Sequence, residues 1–200
     1  MLINNRFLKY LSFLLSISFI IYVIYIVVTS FFIVKNQFID IGDETYVNQV
    51  RSDEYTKNLA VNLTQNCVND KTCEVQTMLD FVTAIPYKIN ESVARSSKQV
   101  VTQNFGDCDD KSNLLISLLK AKGYEAYFVL VPEHIFVIVS LPVKLNTNAL
   151  YVNDKRFYIL ESTAKGSKIG FPLRYKIDEI KAIIDPFANK KLVVNKLEYK

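Results

Sequence analysis

Asn104-Phe105-Gly106-Asp107-Cys108-Asp109-Asp110-Lys111-Ser112 is the stretch on which the reading of this chain turns. A Gly-Asp turn is followed at once by a cysteine, two acids and then Leu114, Leu115, Ile116, Leu118 and Leu119. That pattern predicts a helix that begins at the cysteine and ends near Gly123, a residue suited to a C-cap. The first turn of a helix carries unpaired N–H groups and the positive end of the dipole. A thiol placed there has its thiolate stabilised, as a nucleophile requires. A nucleophilic thiol also needs a base, and the chain offers one imidazole, His134.

The sequence downstream sets that imidazole on a strand. Glu125–Val131 reads as a strand, Pro132-Glu133 as a tight turn, and His134–Ser140 as the returning strand with the histidine at its mouth. A third strand, Arg156–Glu161, ends in an acid followed by Ser162-Thr163. A carboxylate at a neighbouring strand end suits the third position of a triad, where it fixes the tautomer of the base.

Together, Gly106-Asp107-Cys108-Asp109-Asp110, the helix ending at Gly123-Tyr124, the Pro132-Glu133-His134 turn and Leu160-Glu161-Ser162-Thr163 resemble the transglutaminase-like cysteine-enzyme superfamily, in its bacterial cysteine peptidase form. Upstream, Phe81-Val82, Ile85, Pro86 and Tyr87 are similar to the family's leading helix, so the resemblance covers roughly residues 60–165. It implies a papain-like α+β fold, with N-terminal helices packed on an antiparallel sheet. It also implies a Cys-His-acid triad on Cys108, His134 and Glu161. The family's third member is usually Asp; here it is Glu161, one methylene longer, with Asp154 as a rival. The chain has no tryptophan, whereas animal transglutaminases place tryptophans at the acyl site. That favours hydrolysis of amide or peptide bonds over crosslinking. The expected substrate is a protein or peptide.

From Tyr10 to Val34 the sequence carries no charge, enough residues to span a hydrocarbon core of ~30 Å. A cleaved signal peptide has a shorter apolar region of ~7–15 residues, so a retained anchor is the expectation. Arg6 and Lys9 precede the span and Lys35 follows it. The basic bias places the N-terminus inside and the domain in the periplasm or outside the cell, on a single-pass protein of the cell (inner) membrane. The expected layout is a tail over 1–9, the span over 10–34, a stalk over 35–57 and the domain over 58–200. The net charge is only +4, and no basic block interleaved with aromatics occurs, so nucleic acid is not an expected partner.

Cys67 and Cys73 bracket a short polar loop. Outside the membrane this spacing reads as a local disulfide, leaving Cys108 as the odd free thiol. A zinc site fits poorly, because His134 has no partner at ligand spacing. No cofactor is required by this chemistry. Asp107 and Asp109 flank the thiol, and two readings stand for them: a calcium site, or helix capping with Asp107 as N-cap. Candidate side-chain donors to an oxyanion are Gln103, Asn104 and Tyr87, beside the Cys108 N–H.

For the rest, Glu74–Ala84 has apolar residues at helical spacing and stops at Pro86. Thr56–Asn66 is weakly amphipathic, and residues 88–103 read as a polar loop leading to the nucleophile. Leu141–Asp154 and Ala164–Pro172 read as loops, the latter mobile; Asp178–Ile184 as a short helix; Lys191–Lys196 as a last strand. Asn62 and Asn90 each open an Asn-x-Ser/Thr triplet, too common a pattern to use. Two functions from other classes stand beside the thiol enzyme. One is a non-catalytic binding or scaffold module of the cell envelope on the same fold. The other is a thiol redox protein, which ranks last because no Cys-x-x-Cys is present.

Overall fold

The computed structural model describes residues 5–42, 44–90 and 94–200. The chain divides into two units, Met1–Phe38 and Ile39–Lys200. Part of the expected tail, residues 1–4, and Ser92 of the second Asn-x-Ser triplet lie outside the described residues.

The first unit is the helix α1 (Asn5–Gln37). Its stretch Arg6–Ile33 is long and apolar enough to cross a membrane, and no residue of that stretch is buried within the protein. Two of its hydroxyls are satisfied within the helix: Ser16 Oγ donates to the Ser12 carbonyl at 2.9 Å and Thr29 Oγ1 to the Tyr25 carbonyl at 2.8 Å. A helix in lipid needs such internal partners.

The second unit is α+β, as expected. β1 (Phe38–Asp40) and β2 (Thr45–Val47) form a two-stranded sheet. The helices α2 (Glu54–Thr64), α3 (Lys71–Ala84), α4 (Ser97–Gln103) and α5 (Cys108–Ala121) follow. The main sheet comprises β3 (Ala126–Val131), β4 (His134–Val139), β5 (Leu150–Val152), β6 (Lys155–Leu160), β7 (Ala182–Asp185), β8 (Lys190–Lys191) and β9 (Leu197–Tyr199). Their order is β8-β7-β3-β4-β6-β5-β9, with every described pairing antiparallel.

The central strands are apolar without alternation because both sheet faces are covered. Phe128, Leu130, Ile135, Val137, Val139, Tyr158 and Leu160 pack toward the helices, with Leu114, Leu115 and Leu118 of α5. Val129, Phe136, Ile138, Phe157 and Ile159 form a second core on the opposite face, closed by Phe171, Leu173, Ile180 and Leu192 from the C-terminal segment.

Several expected loops are more ordered than their composition implies. The described residues of 39–57 pack on the domain instead of forming a stalk: Ile39 and Val50 enter the helix-side core, and Asn48 is buried with its amide donating to the Pro186 carbonyl. Residues 97–103 of the expected polar loop form α4, capped at both ends, by Ser96 and by Asn104 in the left-handed conformation. Leu150–Val152 is a strand, since Leu150 and Val152 fit the second core. Ala164–Pro172 is pinned: the Gly170 and Phe171 N–H groups donate to the Ile159 carbonyl, and Gln76 bonds both Ser167 and Ile169. Asp178–Ile184 is not a helix, as only Ile177–Glu179 makes a 3-10 turn before β7. Lys191–Lys196 is mostly not a strand; β8 and β9 flank it.

Cys67 and Cys73 are disulfide-bonded, with Cα atoms 5.5 Å apart, across the turn between α2 and α3. Closing so short a loop is worth roughly 2 kcal/mol. Reducing this bond is expected to lower the denaturation midpoint by that equivalent, as read by urea titration with and without reductant.

Candidate active site

Cys108 is the first residue of α5, is partly buried and is the free cysteine. Its position is fixed from three sides. Asp107 is the N-cap: one carboxylate oxygen accepts from the Asp110 N–H and the other from the Asn90 N–H, both at 3.1 Å. Gly106 joins Tyr87 in a parallel bridge, donating to the Pro86 carbonyl and accepting from the Lys88 N–H. A side chain at Gly106 would bring its Cβ to 2.9 Å from the Asp110 Cβ, so the close approach itself demands glycine. Arg95 completes the clamp. Its guanidinium binds the buried Asp110 carboxylate at 2.6 Å and the Phe105 carbonyl at 2.8 Å, and stacks on the Phe105 ring at 4.0 Å.

One turn further on, the buried Lys111 ammonium donates to the Ile85 carbonyl at 2.8 Å, tying the end of α3 to the nucleophile's helix. Burial holds its pKa below the ordinary lysine value, and the Glu161 charge opposes that drop. Ser112 Oγ lies 3.0 Å from Ser162 Oγ and donates to the Ile135 carbonyl at 3.3 Å. These bonds register α5 against the two strand ends that carry the remaining groups.

His134 opens β4, where the hairpin turn places Glu133 in the left-handed region. Its Nε2 lies 2.9 Å from Glu161 Oε2, which leaves Nδ1 for the thiol. The other carboxylate oxygen, Oε1, accepts from Thr163 N at 3.0 Å and from Thr163 Oγ1 at 2.5 Å, so the acid is oriented before it meets the imidazole. The Tyr175 ring stacks over His134, centroids 6.1 Å apart and planes at 20°. A hydrogen bond to Cys108, then one to Glu161, raise the His134 pKa from 6.5 to about 9 against the opposing effect of burial. Burial pushes Glu161 up, but the His134 and Thr163 hydrogen bonds outweigh it and hold the carboxyl below its ordinary value.

Asp154 is excluded as the acid of this group. It precedes β6 whereas Glu161 follows it, about 20 Å away at ~3.3 Å per residue. It is exposed and paired with Lys196 at 2.8 Å. Both oxygens of Asp107 are used by backbone donors, and among the described residues no group of three His, Cys, Asp or Glu side chains gathers. Asp109 is raised above its ordinary value by burial and then by Asp107 and Asp110.

Of the oxyanion candidates, Gln103 and Asn104 are exposed, and the Gln103 amide oxygen is taken by Arg95. Tyr87 lies close enough to Cys108, Asp107 and Asp109 for their charges, after burial, to raise its pKa. Two cavities meet at His134. One, of about 310 Å³, is walled by Cys108, Asp109, Ile135 and the two-stranded sheet. The other, of about 670 Å³, runs over Glu161, Phe171 and Tyr175. Sequence reasoning missed the Arg95 clamp, Lys111, Tyr175 and the wall built by the two-stranded sheet. Only the adjacency of Asp110 to the cysteine hinted at a buried partner.

No protein-family profile matches the sequence, and no curated protein does. Among solved structures, the chain is similar to a candidate cysteine protease from Cytophaga hutchinsonii, at 18% identity and a TM-score of 0.42. The match covers 55% of this chain and 37% of that one, well under the neighbour's full length, and is too weak to carry fold or activity.

Proposed function

We propose that this chain is a membrane-anchored, extracytoplasmic thiol enzyme that hydrolyses amide or peptide bonds through Cys108, His134 and Glu161. The observation that carries the reading is the placement of the single histidine, which lines one cavity with Cys108 and lies 2.9 Å from an oriented Glu161. Cys108 sulfur attacks the carbonyl carbon while the imidazolium of His134 faces it. The tetrahedral oxyanion forms at the start of α5, where the Cys108 N–H has no acceptor within its own helix. On collapse the C–N bond breaks and His134 gives its proton to the departing amine. Water, deprotonated by the neutral imidazole, then attacks the thioester and releases the acid and the thiol. Glu161 keeps Nε2 protonated and the ring in plane throughout.

A protein or peptide substrate fits cavities that flank the histidine on two sides. The test is intact-mass detection of an acyl adduct on Cys108 after exposure to an activated ester, and its loss in Cys108→Ser. Absence of any adduct on the wild-type chain would return the molecule to a binding-module role.

The same reading places the domain outside the cytoplasm. Arg6 and Lys9 before the apolar helix and the Cys67–Cys73 disulfide support that side. Alkaline phosphatase fused after Lys200 is expected to be active in cells, whereas a fluorescent protein that needs the cytoplasm to mature is expected to be dark. The reverse pattern sinks the orientation.

A further inference from the structure

The segment that follows the apolar helix brings one more group to the nucleophile. Tyr46, on β2, packs its ring edge-on against Phe128 of β3, with centroids 6.1 Å apart and planes at 65°. It lines the cavity of about 310 Å³ that also holds Cys108, Asp109 and His134. Its sheet is held in place by the Lys181–Glu44 ion pair at 2.8 Å and by Ile39 in the core.

The Tyr46 hydroxyl makes no hydrogen bond to any described residue. Tyr46 is half-buried, and its phenol stands in the wall of the nucleophile's cavity as a donor that no protein acceptor engages. Burial, followed by the charges of Asp109 and Cys108, raises its pKa, so the phenol stays a donor across the working pH range. The acyl-transfer step lacks one such donor. The Cys108 N–H supplies one hydrogen bond to the oxyanion, and a second is usual. Neither Gln103, Asn104 nor Tyr87 lines either cavity at His134, and Tyr87 is 54% exposed, where water competes for its hydroxyl.

We propose that Tyr46 is a further catalytic residue, whose O–H donates to the substrate carbonyl oxygen as that oxygen becomes an oxyanion. This rests on the reading of Cys108 as nucleophile. In the step, the C–S bond forms from the sulfur lone pair and the C=O π pair moves to oxygen. That oxygen then accepts from the Cys108 N–H and the Tyr46 O–H. The pair returns as the bond to the leaving group breaks. Tyr46 donates a hydrogen bond and transfers no proton.

Two reagents separate this role from packing. p-Nitrophenyl acetate acylates Cys108 through an oxyanion and expels p-nitrophenolate. Iodoacetamide alkylates the same sulfur by displacing iodide at a saturated carbon, with no oxyanion. On the full chain in detergent, with Cys108 adducts followed by mass spectrometry, Tyr46→Phe is expected to slow acylation by on the order of 10–100-fold. Alkylation stays within about a factor of two, because the ring still packs on Phe128 and alkylation forms no oxyanion. An unchanged ratio overturns the proposal. So does an equal fall in both rates, which makes Tyr46 a packing residue, or a change in Tyr87→Phe that Tyr46→Phe does not show. If wild-type Cys108 reacts with neither reagent faster than a free thiol, the nucleophile reading fails and takes this proposal with it.

Discussion

Replacing His134 by alanine is expected to slow alkylation of Cys108 at pH 6 by roughly tenfold or more, because a cation beside the sulfur favours the thiolate. In the native site that cation is favoured, because Cys108 and Glu161 beside the imidazole raise its pKa to about 9. At pH 6 an ordinary thiol of pKa ~8.5 is almost wholly protonated, so wild-type reactivity there reports the assembled pair. Glu161→Gln is expected to slow acyl turnover while leaving much of the alkylation rate, since Glu161 orients the imidazole and does not touch the sulfur.

The same shifts set a stability window. Folding raises His134 above 6.5, so its contribution is whole below pH 6.5 and is lost as pH rises through about 9. Folding lowers Glu161 below 4.5, so its contribution is present above that value and is lost as pH falls through the depressed one. Urea midpoints are therefore expected to hold across neutral pH and to decline on both flanks, and His134→Ala is expected to abolish the alkaline decline. A His134→Ala chain whose Cys108 alkylates at the wild-type rate removes the pair from the mechanism.

The second large effect is structural. Arg95→Ala leaves the Asp110 carboxylate buried without its cation, and breaking such a pair costs about 3–5 kcal/mol. Urea denaturation followed by circular dichroism reads this as a midpoint lower by on the order of 2 M. Arg95→Lys recovers only part of it, because an ammonium cannot hold Asp110 and the Phe105 carbonyl in one planar fork. The double replacement Arg95→Met with Asp110→Leu is expected to restore most of the loss, since hydrophobic isosteres often replace a buried pair at little cost. Stability recovered in that double variant with Cys108 alkylation still slow marks the clamp as positioning the nucleophile as well as the core. An Arg95→Ala midpoint equal to wild type shows that the pair contributes nothing.

Local sequence was sufficient where one element decides its own structure. The α5 helix starts at Cys108 because Asp107 caps it and Asp109 and Asp110 suit its dipole, and it ends before Gly123, whose φ of +79° only glycine adopts freely. The hairpin from Ala126 to Val139 was legible in its β-branched runs around Pro132-Glu133. The cysteine pair was legible in its spacing, and the apolar helix in its length and lack of charge.

What the sequence could not decide was which distant groups meet. Asp154 and Glu161 are equally acidic and flank the same strand; only the antiparallel register of β4 and β6 sets Glu161 beside His134 and turns Asp154 away. Asp107 and Asp110 looked alike beside the thiol, yet one caps the helix and the other is buried against Arg95, fifteen residues upstream. Residues 39–57 are polar enough to pass for a stalk, because the apolar groups that bind them to the core, Ile39, Ile41, Tyr46 and Val50, are scattered among solvated ones. Tyr46 lines the cavity of Cys108 across 62 positions of sequence, with its ring packed on Phe128. Periodicity and capping act within a few residues, whereas sheet register and burial act between segments, and the proposed site is built from the latter.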